Sequence, residues 1–157
     1  MEKITRNLAI SGLMMAAYIA LMYVTQGFAF GPYQMRVATG LYAAAYLFPF
    51  LVIPLALANS LSNLIMGGLG MFDIVGGFGV GVVTAGFPAI FKKLNLPMWL
   101  VIPPIILGPG LIVPLWLSPL TGFPYWVLVI NISIGQTPPA VAGYFFIKAL
   151  SKRKVQV

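Results

Sequence analysis

Apolar positions along this chain come in long unbroken runs, not at the three-to-four-residue spacing of a helix with one buried face. Crossing about 30 Å of hydrocarbon at 1.5 Å per residue takes roughly 20 residues. Read between its breaks, the sequence predicts six such spans, at about residues 4–25, 33–50, 51–69, 72–91, 98–117 and 124–150. The breaks are the Gly27–Pro32 turn, Pro49, the Gly67-Gly-Leu-Gly70 cluster, Lys92-Lys-Leu-Asn-Leu-Pro97 and residues 118–124. The expected fold is an all-α integral membrane bundle, with residues 1–157 forming one six-helix domain.

The boundary at Pro49 is the weakest, because residues 37–58 also read as a single span, giving five crossings. Charge separates the two counts. With six, the basic N-terminus, Lys92-Lys93 and the basic tail share one side, which the positive-inside rule makes cytoplasmic. With five, two basic termini fall on opposite sides. The expectation is therefore a multi-pass membrane protein with both termini cytoplasmic.

Composition agrees: 61% of residues are hydrophobic and 7% charged, where a soluble fold carries about a quarter charged. Across residues 7–147 the only charges are Arg36, Asp73, Lys92 and Lys93. The net charge of +7 clusters beside apolar runs, so it reads as membrane orientation and not as a nucleic-acid surface. A cleaved secretory signal is a lesser possibility for Lys3, Arg6 and the run after them, since that run is long enough to span and others follow.

The chain has no Cys and no His. That leaves no disulfide, thiol nucleophile, imidazole base or ordinary zinc site. There is no P-loop, and Gly76-Gly-Phe-Gly-Val-Gly81 lies within an apolar span instead of following a strand, so a dinucleotide turn is rejected. Neither a cofactor nor a metal is expected. One carboxylate in the membrane region is too little for a proton relay, and the chain reads as a binder that takes its energy from a partner.

Pro103, Pro104, Pro109 and Pro114 in the fifth span and Pro138 and Pro139 in the sixth release backbone carbonyls that lipid cannot satisfy, so both spans are expected to be kinked and partly protein-facing. Trp99 and Trp116 are about 25 Å apart along a helix, suited to the two interfaces of the fifth span or simply to packing.

The same topology puts Arg36 and Asp73 together on the outer side. One reading has Arg36 snorkelling to headgroups and Asp73 merely capping the fourth span. The favoured one is an outward-facing polar site, because a lone charge near the bilayer centre costs about 2.5 to 3.5 kcal/mol on insertion scales. Gln34 and Thr39 lie nearby, as do Asn59 and Asn63 at i, i+4 on one helix face, and Ser60 and Ser62. The last span adds Asn131, Ser133, Gln136 and Thr137. Each amide alone is as well explained as glue between helices. Together with Tyr33, Tyr42, Tyr46 and Trp126 they suit a flat, hydrogen-bonding heterocycle.

Small residues recur every four positions at Gly12, Ala16 and Ala20 and again at Gly77, Gly81 and Ala85, which permits close helix approach. Internal packing is expected for the second stripe. The first is open to a partner subunit.

These residues resemble the substrate-binding S components of energy-coupling factor (ECF) transporters, and most of all the queuosine-precursor (QueT) family. The resemblance is carried by Gly31-Pro-Tyr-Gln-Met-Arg-Val37, by Asn63-Leu-Ile-Met-Gly-Gly-Leu-Gly-Met-Phe-Asp-Ile74 with Gly76-Gly77, and by Gly135-Gln136. It covers residues 8–150. It implies a non-catalytic subunit that binds a deazaguanine-type precursor near the outer face under the loop between the first two spans. It further implies docking through Gly12, Ala16 and Ala20 onto a transmembrane coupling subunit with two ATPases, and carries over Arg36, Asn63 and Asp73 as site positions. Asp73 would accept from ring N–H or amino groups. Arg36 would donate to a carbonyl or hold Asp73. Tyr33 would stack or act in the lid, while Gln34, Thr39, Asn59 and Gln136 would complete the polar edge. Two acidic positions of the family pattern are Thr39 and Gln136 here, which points to a neutral ligand over an aminomethyl cation. The rivals are a stand-alone oligomeric carrier or channel, and a membrane assembly factor with no ligand.

Overall fold

A computed structural model describes residues 2–31, 33–66 and 70–153, and these are all-helical with no strand. Pro32, residues 67–69 of the expected glycine break, and Lys154 of the basic tail lie outside the described residues. The α-helices are α1 (Glu2–Val24), α2 (Gln26–Ala29), α3 (Val52–Met66), α4 (Met71–Lys93), α5 (Ile102–Ile112), α6 (Pro114–Thr121) and α7 (Tyr125–Lys152). Four stretches are long and apolar enough to cross a membrane: Glu2–Val24, Pro49–Met66, Met71–Lys93 and Met98–Thr121. α7 is longer than any of these but is not among them, because Asn131, Gln136 and two prolines dilute its apolar run. Its single-helix path from Tyr125 to Lys152 passes Pro138 and Pro139 without interruption.

The fifth span does break. A short 3₁₀ turn, Met98–Val101, leads into α5, and the ladder lapses at Val113, ahead of Pro114, before α6 begins. Proline has no N–H to give to the preceding turn. Val113 keeps helical dihedrals, φ −59° and ψ −41°, so the path continues into α6.

The largest departure from expectation is the second span. No α-helix covers residues 33–50. Residues 34–36 are non-helical, Arg36 is extended, and a 3₁₀ helix then runs Val37–Tyr46. Such helices seldom exceed a few residues, but they rise about 2.0 Å per residue against 1.5 Å, so ten residues reach about 20 Å. The sequence Val-Ala-Thr-Gly-Leu-Tyr-Ala-Ala-Ala-Tyr suits that slender form: apart from Leu41 and Val37 every residue of it is buried.

Two glycines set how closely this central helix meets α7. A Cβ on Gly40 would sit 2.7 Å from the Pro139 carbonyl oxygen, and one on Gly143 would collide with the Gly40 carbonyl. Gly81 meets Ala56 in the same way between α4 and α3, so the stripe on α4 is internal, as expected. The α1 stripe is the reverse. Gly12, Ala16 and Ala20 are all exposed, and a Cβ on Gly12 would touch nothing within 4 Å.

Gly143→Val should therefore lower the unfolding midpoint in detergent, by a cost of about 1–3 kcal/mol or more for overpacking. Gly12→Ala should leave it unchanged. Equal effects of the two in a thermal-unfolding assay would contradict this packing.

Candidate functional site

Among the described residues the buried polar side chains concentrate in one place. Gln34, Arg36, Thr39, Asn59, Asn63, Asp73 and Gln136, all buried, line a single pocket together with Tyr42 and Trp116. It lies where the extended run before the 3₁₀ helix meets α3, the first turn of α4, the α5–α6 junction and the middle of α7.

The guanidinium of Arg36 organises it. Its Nη1 donates to Asn59 Oδ1 at 3.2 Å and to Asn63 Oδ1 at 3.1 Å. One helical turn separates the two amides, so both carbonyls reach one nitrogen. Their amino groups are then turned toward α4, with Asn59 Nδ2 donating to the Gly77 carbonyl at 2.8 Å and Asn63 Nδ2 to the Asp73 carbonyl at 2.7 Å. Gly77 is required for this: a Cβ there would stand 2.5 Å from Asn63 Nδ2. The Phe30 ring centre lies 5.0 Å from the guanidinium carbon, a cation–π contact that strengthens when desolvated.

α7 fixes the other edge. Gln136 Nε2 donates to the Gln34 carbonyl at 2.6 Å, and Gln136 Oε1 accepts from Thr39 Oγ1 at 2.6 Å. The Thr39 hydroxyl also faces the Arg36 carbonyl at 2.7 Å, so one proton serves two acceptors. Gln34 holds a left-handed backbone, φ 42°, and Gly135 beside it has no room for a Cβ against the Tyr33 carbonyl. The extended run is thus pinned to α7 through backbone contact.

Asp73 sits in the first turn of α4, where the helix dipole favours an anion. Trp116 Nε1 donates to its Oδ1 at 2.7 Å. The Arg36 Nε–H is buried and has no acceptor among the described residues, an uncommon state for a buried donor. The empty space totals about 350 Å³ but is spread thinly between side chains, and the room wide enough for water amounts to about one molecule.

Seven of the eight expected site residues meet here. Tyr33 does not; its side chain is half-exposed in the connection between α2 and the 3₁₀ helix. Of the aromatic wall, only Tyr42 lines the pocket. Trp126 is exposed, and Tyr46 donates instead to the Leu96 carbonyl at 2.6 Å. Asn131, Ser133 and Thr137 of α7 lie away from the pocket; Thr137 turns back to the Ser133 carbonyl. Ser60 and Ser62 bond to backbone carbonyls, of Ile74 and Ala58.

Trp116, which the sequence left open between an interface position and packing, is a wall of the pocket. Glycine at 76 is the signal that could have shown it, since a Cβ there would stand 2.8 Å from the ring.

Comparison with known proteins returns one family. The model of the QueT transporter family matches residues 8–152. No curated protein and no solved structure matches the chain. With nearly its whole length matched and four spans long and apolar enough for a bilayer, the chain belongs to the QueT transporter family, as a multi-pass membrane protein serving a small-molecule substrate and not as an enzyme.

Proposed function

We propose that this protein is the substrate-binding S component of an ATP-driven ECF importer and that it captures a deazaguanine-type queuosine precursor from outside the cell. The observation that carries the reading is the convergence of one guanidinium, one carboxylate and four amides on a single pocket in a chain otherwise built for lipid. In this reading the unaccepted Arg36 Nε–H donates to a ligand carbonyl, and Asp73 accepts from a ring N–H or exocyclic amine. Asn59, Asn63, Thr39, Gln34 and Gln136 hold these two groups and complete the polar edge. Tyr33 belongs to the outer connection that closes over the ligand.

The whole chain then acts as one domain that crosses a prokaryotic plasma membrane six times, counting the 3₁₀ helix and α7 as spans, with both termini cytoplasmic. Lys92-Lys93 and the basic end of α7 support that orientation. The exposed Gly12, Ala16 and Ala20 of α1 are the docking stripe for a transmembrane coupling subunit that carries two ATPases. No cofactor is required.

The pocket charges favour a neutral ligand. Arg36 and Asp73 offset each other, and Thr39 and Gln136 present no further negative charge to an ammonium group. Calorimetry with the purified protein should find the cyano-deazaguanine bound about tenfold more tightly than the aminomethyl form, a difference of about 1.4 kcal/mol. Asp73→Asn should weaken binding about 30-fold or more, as expected for the loss of a buried charged partner. Preference for the cation would refute the charge argument. Proteoliposomes holding this chain alone should bind but not accumulate ligand, with uptake appearing only once coupling subunit, ATPases and ATP are present. Accumulation without them would make it a self-sufficient carrier.

A further inference from the structure

Two cavities share a single described side chain. One is the polar pocket. The other is an apolar hollow of about 400 Å³, lined by Met71, Phe72, Val75, Gly76 and Trp116. Met71, Phe72 and Val75 are 71%, 64% and 63% exposed, so the hollow opens to the surface. Trp116 is the partition between them. Its indole lies flat on Gly76, where a Cβ would stand 2.8 Å from the ring, and its Nε1–H rests 2.7 Å from Asp73 Oδ1.

The pocket as it stands is too tight for a two-ring heterocycle. Indole is itself a flat two-ring heterocycle with one ring N–H, and it already occupies the carboxylate that such a ligand needs. Withdrawing it would vacate a ring-shaped space beside Asp73, release the acceptor, and join the pocket to the hollow, all in one side-chain movement. The apolar hollow can receive the displaced ring, whose N–H gives up its carboxylate acceptor in the move. The seat on Gly76 has no side chain to hold the ring in place.

We propose that Trp116 is the gate of the pocket and a built-in stand-in for the ligand: a planar heterocycle with a ring N–H enters past α6 and replaces the indole on Asp73. This rests on the reading of the pocket as a ligand site. It also sets a specificity rule. A ligand that takes the indole's place offers its own ring N–H to the same Asp73 oxygen.

Trp116→Phe keeps the ring's bulk and removes its claim on Asp73. Binding of 7-cyano-7-deazaguanine, measured by calorimetry, should tighten about tenfold, the scale of one hydrogen bond to a charged group. Gly76→Ala, which pushes the ring off its seat without touching either partner, should tighten binding in the same direction and guards against a folding defect in the first variant. In ¹⁵N-tryptophan spectra of the unaltered protein, the indole N–H signal assigned to Trp116 should shift on ligand addition, while those of the exposed Trp99 and Trp126 stay in place. Weaker binding in both variants, or a Trp116 signal that ignores a bound ligand, would overturn the gate while leaving the pocket intact as a site. No binding by the unaltered protein would sink both.

Discussion

A guanidinium within an apolar bundle has to find acceptors, and the rest of this structure follows from how Arg36 finds them. Nη1 takes the carbonyl oxygens of Asn59 and Asn63, one turn apart on α3. That leaves both amide nitrogens directed at α4, where they bind the carbonyls of Gly77 and Asp73. A single charge thus sets the register of three segments at once. Replacing either amide would leave a buried charge short of a partner, which costs far more than the net worth of the bond it makes.

The 3₁₀ helix is the second constraint. A normal helix over residues 37–46 would be shorter and wider, and Gly40 could not reach the backbone of α7 at Pro139 and Gly143. That contact keeps Thr39 against Gln136 and holds the run before it extended, so that Arg36 is presented to α3. Packing in the bundle core and polar geometry around Arg36 are in this way one problem with one solution.

Much of this was legible in the residues, for a plain reason. Against an apolar background each polar side chain is conspicuous, and the spacing of Asn59 and Asn63 already put them on one face. The buried members of the site were therefore visible before the fold was. The 3₁₀ helix was not, because a run of Val, Ala, Gly and Leu fits either helix, and only the backbone contact with α7 decides. Tyr46 and Trp126 stand apart from the pocket, because an aromatic residue near a span's end is equally a wall, a lid or an interfacial anchor. For Trp116 the sequence left interface and packing open, and the bare seat at Gly76 with the carboxylate beside it puts it in the pocket wall. Pro138 and Pro139 sit within a continuous helix, whereas the ladder lapses ahead of Pro114.

All of this concerns transport only if the arginine–amide cradle opens toward the cell's exterior. Because the chain has no cysteine, single cysteines report orientation without background. Phe28→Cys, in the half-exposed connection beside the cradle, should react on intact cells with a membrane-impermeant maleimide. Lys93→Cys, at the opposite end of α4, should react only after permeabilisation. The inverse pattern would place the cradle on the cytoplasmic face, where it could not capture a substrate from outside.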